Sequence, residues 1–113
     1  MTAADALHDV CARIPAGRWT TYGDVAEAAG RPAGARWAAR LLALGGIPNA
    51  HRVLRATGTV SDGYREDGGR RGPEAARARL EAEGVAFGPG GAADPARRWV
   101  PAAPGAGPDG RAP

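Results

Sequence analysis

From residue 2 onward the apolar positions Leu7, Val10, Cys11 and Ile14 recur at i, i+3, i+4 and i+7, the spacing that lines one face of a helix. This predicts a first helix over 2–13, capped by Thr2, with Asp5 in its first turn and Pro15-Ala16-Gly17 as its stop. After the polar stretch Arg18-Trp19-Thr20, a second helix is predicted over 22–29. Thr21 is its cap, Asp24 is placed for a reciprocal bond, and Gly30 gives a left-handed end. Arg31-Pro32 forces a turn. A third helix follows over 33–44, with Gly45-Gly46 beyond its end. Two short helices joined by a Gly-containing turn form a helix-turn-helix pattern. Two simply packed helices have the same spacing, and the pattern alone leaves both readings open.

Further along, β-branched residues flank the turn Ala56-Thr57-Gly58, with His51 to Leu54 before it and Thr59-Val60-Ser61 after it. They predict a small β-hairpin or wing. The stretch 62–72 is polar, charged and Gly-rich, which predicts a mobile loop. A last helix over 73–83 turns Ala76 and Leu80 inward and ends at Gly84, and Val85-Ala86-Phe87 adds an extended core segment. The remainder is rich in Pro, Gly and Ala apart from Arg97-Arg98-Trp99-Val100. The expected organisation is therefore one mainly α domain over 1–88 and a tail over 89–113, largely disordered after 100. Trp99 either packs that tail back onto the domain or meets a partner; packing is the favoured reading.

Composition narrows the picture. At 113 residues the chain holds one domain, and with 18 Gly, 10 Pro and 5% aromatics its core is small. Fifteen cations, all Arg, against twelve acidic residues give a net charge of +3. The excess hints at a polyanionic partner, although a GC-rich coding sequence produces the same bias from Lys to Arg. No apolar run approaches the roughly 20 residues that span a bilayer. The start has no positively charged segment ahead of an apolar one, so no signal peptide is expected. The single cysteine, Cys11, forms no internal disulfide, and with His8 and His51 it makes too small a set for zinc. A reducing, cytoplasmic setting is expected, with no metal, no cofactor and no membrane partner.

Three segments, in this order, resemble the DNA-binding domain of O6-alkylguanine-DNA alkyltransferases. They are Ile14-Pro15-Ala16-Gly17-Arg18-Trp19-Thr20-Thr21-Tyr22-Gly23-Asp24-Val25-Ala26, then Gly34-Ala35-Arg36, then His51-Arg52-Val53 with Gly58 downstream. Arg79-Leu80-Glu81-Ala82-Glu83-Gly84-Val85 is similar to the family's closing helix. The resemblance covers about residues 5 to 87 and implies a winged helix-turn-helix DNA-binding domain. Family chemistry rests on a cysteine in the motif Pro-Cys-His-Arg-Val, because a thiolate is nucleophilic enough to take an alkyl group from an O6 ether. Here the stretch reads Asn49-Ala50-His51-Arg52-Val53. Ala50 stands at the acceptor position, and Cys11 lies in the first helix. The expected protein resembles alkyltransferase-like proteins, which bind O6-alkylguanine without repairing it.

The resemblance implies the site residues. Arg36 matches an arginine finger whose planar guanidinium fills the stack after a nucleotide rotates out. Tyr22, beside Thr21, matches a tyrosine pressed on the neighbouring phosphate. Gly34 and Ala35 are small enough for close approach to DNA, Arg40 reaches a phosphate, and Trp37 packs in the core. The lesion pocket is expected from Ala50, His51, Ser61 and Tyr64, with Arg52 tying the pocket loop to the body. Bland readings stand beside these: a solvated Arg36, a half-buried packing ring at Tyr22, a structural His51, and an uncertain register over 61–72. The implied partners of this monomer are duplex DNA containing O6-alkylguanine and the proteins of nucleotide excision repair. Two alternatives remain: a winged-helix regulator without lesion specificity, and an active transferase using Cys11.

Overall fold

The computed structural model describes residues 2–101. Helix α1, Ala3–Ala12, opens on a complete capping box. Thr2 Oγ1 accepts from the Asp5 N–H (3.1 Å) and Asp5 Oδ2 accepts from the Thr2 N–H (3.2 Å). Two amides that the helix leaves without partners are thereby satisfied. Leu7, Val10, Cys11 and Ile14 are all buried, so the predicted apolar stripe is the core face.

Strand β1, Thr20–Thr21, runs directly into helix α2, Tyr22–Ala28, whose cap is Thr21: its Oγ1 accepts from the Asp24 N–H at 3.1 Å. The reciprocal bond expected of Asp24 does not form. Its carboxylate instead takes the Arg98 guanidinium at 2.6 Å, a charged donor that outcompetes a neutral amide. Helix α3, Ala35–Ala43, begins two residues later than its pattern suggests. Ala33 sits at φ +57° and Arg31 to Gly34 close a turn through Gly34 N–H to Arg31 O (3.0 Å), so the helical path cannot start sooner. Buried Ala26 and Ala38, with no bulk beyond Cβ, join Leu7, Val10, Val25 and Val53 in one core cluster.

The expected hairpin is corrected. Strand β2, Val53–Leu54, pairs in parallel with β1, in the register Thr20 to Val53 and Thr21 to Leu54. Both β2 residues are buried, and their amides find partners on an equally buried strand rather than across a solvent-facing turn. Residues 55–59 close only as a turn, with Gly58 N–H to Arg55 O (2.8 Å) and Arg55 N–H to Thr59 O (2.9 Å). Gly58 needs its φ of +83° there, and a Cβ would lie 3.4 Å from Trp19 and from the Ala93 backbone.

The stretch 62–72 is folded on itself rather than open. Glu66 and Arg71 form an antiparallel bridge around a 3-10 turn at Asp67–Gly69. Helix α4, Pro73–Ala82, buries Ala75, Ala76 and Leu80. Leu80 meets Trp19, Leu54, Val85 and Ala93 in a second core cluster.

The boundary expected at 88 is also moved. The chain returns along β1, with Trp19 N–H to Arg97 O (3.1 Å) and Trp99 N–H to Trp19 O (2.7 Å). Trp19 Nε1 donates to Asp94 O at 2.8 Å, and Trp99 packs against the first cluster as expected. Residues 92–99 are thus part of the domain; the disorder expected after 100 falls almost wholly outside the described residues. Among the described residues, no helix is long and apolar enough to cross a membrane.

Candidate nucleic-acid interface

The start of α2, one face of α3, the turn before β2 and the 61–65 segment meet around a cleft of about 410 Å³. Tyr22, Arg36, Arg40, Ala50, Ser61 and Tyr64 all line it. Six residues from four separate stretches of sequence therefore share one concavity. A second depression of about 390 Å³ adjoins it and is bordered by Thr21, Ala35 and Arg55. Tyr22, Arg36, Ala39 and Ser61 belong to both, forming the ridge between them. A third, of about 600 Å³, shares Ala50 and Tyr64 with the first and includes His51, Glu66 and Arg79.

Arg36 and Arg40 are one helical turn apart on α3, exposed, and make no ion pair among the described residues. Their guanidinium groups are directed to the cleft rather than spent on the protein's own carboxylates. Ala39 between them leaves room for close approach. Trp37 turns the other way, half-buried against the core, with the Arg31 guanidinium 4.8 Å from its ring centroid. Gly34 borders neither depression. A Cβ there would meet Arg31 O at 2.6 Å and Ala26 Cβ at 3.3 Å, so its small size serves the packing of α3 on α2.

His51 is buried and lies behind Ala50, outside the first cleft. Its Nε2 is 2.8 Å from Glu83 Oε2. Arg52 binds the same carboxylate in a fork, Nε to Oε1 at 3.0 Å and Nη2 to Oε2 at 2.8 Å, while its Nη1 donates to Ile14 O at 2.8 Å. The Gly17 N–H completes the set at 3.1 Å. Burial alone would raise the Glu83 carboxyl, but the hydrogen bonds from Arg52, His51 and Gly17 outweigh it and hold the group at about 2. Burial lowers His51 below the ordinary imidazole value against the pull of Glu83, which leaves a neutral ring donating Nε2–H to an ionised carboxylate. Arg52 thus ties the pocket loop to the body, as expected, and Glu83 is the anchor that sequence reading missed. The signal was present in the closing-helix segment, where Glu83 stands just before Gly84.

Burial raises both cleft phenols, Tyr22 and Tyr64, further above a range in which each already carries its O–H at neutral pH. Cys11 is buried in the core, and burial pushes its thiol up to about 12. Asn49 sits at φ +59° and sends Nδ2 to Cys11 O (3.0 Å) and Ala12 O (3.3 Å), tying the turn before Ala50 to the end of α1. Among the described residues no group of three His, Cys, Asp or Glu is placed to hold a metal ion.

Comparison with known proteins points the same way. Residues 3–85 match the family model "6-O-methylguanine DNA methyltransferase, DNA binding domain". A crystal structure of S. pombe Atl1 with damaged DNA containing O6-carboxymethylguanine is similar at TM-score 0.67 and 26% identity, over 88% of this chain and 95% of that one. A second S. pombe structure, ATL in complex with DNA, gives 0.66 and 28% over 87% and 94%. The Mycobacterium tuberculosis O6-methylguanine methyltransferase gives 0.58 and 29% over 71% of this chain, which spans about half (47%) of that protein. No curated protein matches the chain.

Proposed function

The chain belongs to the family of 6-O-methylguanine DNA methyltransferase DNA-binding domains, and we propose that within it this protein is a non-enzymatic sensor of O6-alkylguanine in duplex DNA. The observation that carries the reading is the cleft in which Tyr22, Arg36, Ser61 and Tyr64 surround Ala50. The position that would bear an acceptor thiol bears a methyl group, and Cys11 is buried on the core face of α1 with its thiol held protonated. Binding is supported; a route for alkyl transfer is not.

A base within a duplex reaches such a cleft only by rotating out of the stack, at about a few kcal/mol, less where an adduct already weakens pairing. Arg36 occupies the ridge beside the cleft and its guanidinium takes the vacated place, stacking on neighbours and hydrogen-bonding the orphaned base. The Tyr22 O–H donates to the adjacent phosphate, and Arg40 adds charge along the same strand. The S. pombe relative, solved with DNA containing O6-carboxymethylguanine, supports DNA carrying this class of adduct as the ligand. Hand-over of the marked site to nucleotide excision repair, in the cytoplasm, completes the proposal.

Titration of the wild type and Arg36→Ala against matched guanine and O6-methylguanine duplexes tests it. Tighter binding to the adduct, lost in Arg36→Ala, is expected. Equal affinity for the two duplexes replaces the sensor with a winged-helix regulator. A methyl mass increase on the protein after incubation with methylated DNA would establish transfer and end the non-enzymatic reading.

A further inference from the structure

Parallel pairing places Thr21 beside Leu54, and the next residue on each chain, Tyr22 and Arg55, borders the same depression. Residues 33 positions apart in sequence are brought side by side by two short buried strands. Arg55 is held there at both ends: Leu54 before it is fully buried and its own N–H is bonded to Thr59 O at 2.9 Å, while its carbonyl accepts from the Gly58 N–H at 2.8 Å. Ser61, on the ridge shared by both depressions, joins the Tyr22 hydroxyl and the Arg55 guanidinium along this groove, which Arg36 also lines. Hydroxyl and guanidinium donors gathered in this way suit a phosphodiester oxygen.

In the free protein another anion occupies Arg55. Asp62 Oδ2 lies 2.9 Å from Arg55 Nη2, and the Asp62 side chain is 92% exposed. Such an exposed pair is weak and is easily exchanged for a second anion of higher charge density. We infer that Arg55 is a phosphate-binding residue of the DNA interface and that Asp62 is an internal competitor, occupying the guanidinium until the DNA backbone displaces it. The inference rests on the DNA-binding reading of this face but not on lesion recognition. The contact is to the backbone, so it acts equally on damaged and undamaged duplex.

Equilibrium titration across a salt series tests it, with wild type, Arg55→Ala, Arg55→Lys, Asp62→Asn and the Arg55→Ala/Asp62→Asn double variant. Each protein is measured on a guanine and an O6-methylguanine duplex. Arg55→Ala is expected to weaken binding roughly five- to tenfold and reduce the slope of log K against log salt by about one. Arg55→Lys keeps the slope, because a point charge remains. Asp62→Asn is expected to tighten binding about threefold at low salt, and this gain vanishes when Arg55 is already Ala. The ratios are the same on both duplexes. An unchanged affinity and slope in Arg55→Ala overturns the contact. An equal gain from Asp62→Asn with and without Arg55 overturns the competition, since Asp62 then only repels DNA through space. If the wild type binds both duplexes alike, the sensor reading fails while Arg55 is still judged by these ratios. Failure to bind either duplex overturns both.

Discussion

Glu83 Oε2 lies 2.8 Å from His51 Nε2, joining residues separated by 32 positions. The same carboxylate holds Arg52 and the Gly17 amide, so one side chain at the end of α4 anchors the turn before β2 and the turn after α1. The wall of the cleft that contains Ala50 is therefore as rigid as this ionic cluster.

Replacing that carboxylate should cost stability. Glu83→Gln leaves Arg52 unpaired in a half-buried site, and a loss of about 2–3 kcal/mol is expected, between that of one charged hydrogen bond and a broken buried pair. Acid should act on the wild type in the same direction. The Glu83 carboxyl falls from its ordinary 4.5 to about 2 on folding, so its contribution is complete above 4.5 and is lost as pH drops toward 2. His51, held below its ordinary 6.5 by burial, adds to the loss, because below that value the unfolded chain takes up a proton first. Thermal melts across pH should show Tm declining from about 6.5 downward, with the decline between 4.5 and 2 flattened in Glu83→Gln.

Ala50→Cys puts a thiol on the cleft wall, next in sequence to a neutral His51 held by an ionised Glu83. A ring oriented in this way can accept a thiol proton, directly or through water. Stoichiometric methyl uptake from an O6-methylguanine duplex is expected, read as a mass increase on the intact protein. An unshifted mass would mean that the cleft differs from a transferase site by more than one sulfur atom.

Gly34→Ala should destabilise the fold without touching the ligand. Its Cβ would fall 2.6 Å from Arg31 O, backbone that cannot swing away, and overpacking of this kind costs about 1–3 kcal/mol. The expected result is a lower Tm with DNA affinity retained where the variant is still folded. A large affinity loss in the folded variant would instead make Gly34 part of the contact surface.

Ending the chain at residue 88 should loosen the domain. The cut removes Ala93 from the second core cluster, the Asp94 carbonyl from Trp19 Nε1, and Arg98 from Asp24. A loss of about 3 kcal/mol or more is expected from buried area and hydrogen bonds together. Denaturant melts followed by Trp fluorescence should show an earlier, broader transition with a red-shifted native spectrum.

The parts of this protein legible in its sequence are those whose causes lie within one or two helical turns. Thr2 and Thr21 cap α1 and α2, the stripe from Leu7 to Ile14 is buried, and Gly30 ends α2 at φ +89°. Motif order likewise located Tyr22, Arg36, Ala50, Ser61 and Tyr64, which the fold then brings to a single cleft. Tertiary structure decided the rest, through contacts that leave no local periodicity. Two-residue strands are too short for an alternating pattern to reveal, and the parallel pairing of β1 with β2, in place of the predicted hairpin, joins buried segments distant in sequence. A Gly- and Pro-rich segment folds back because Trp19 offers it both a backbone edge and a ring N–H. Glu83 stands in the closing-helix segment that the sequence singles out, but its role is not local; only the approach of Arg52, His51 and Gly17 makes it the anchor of the site.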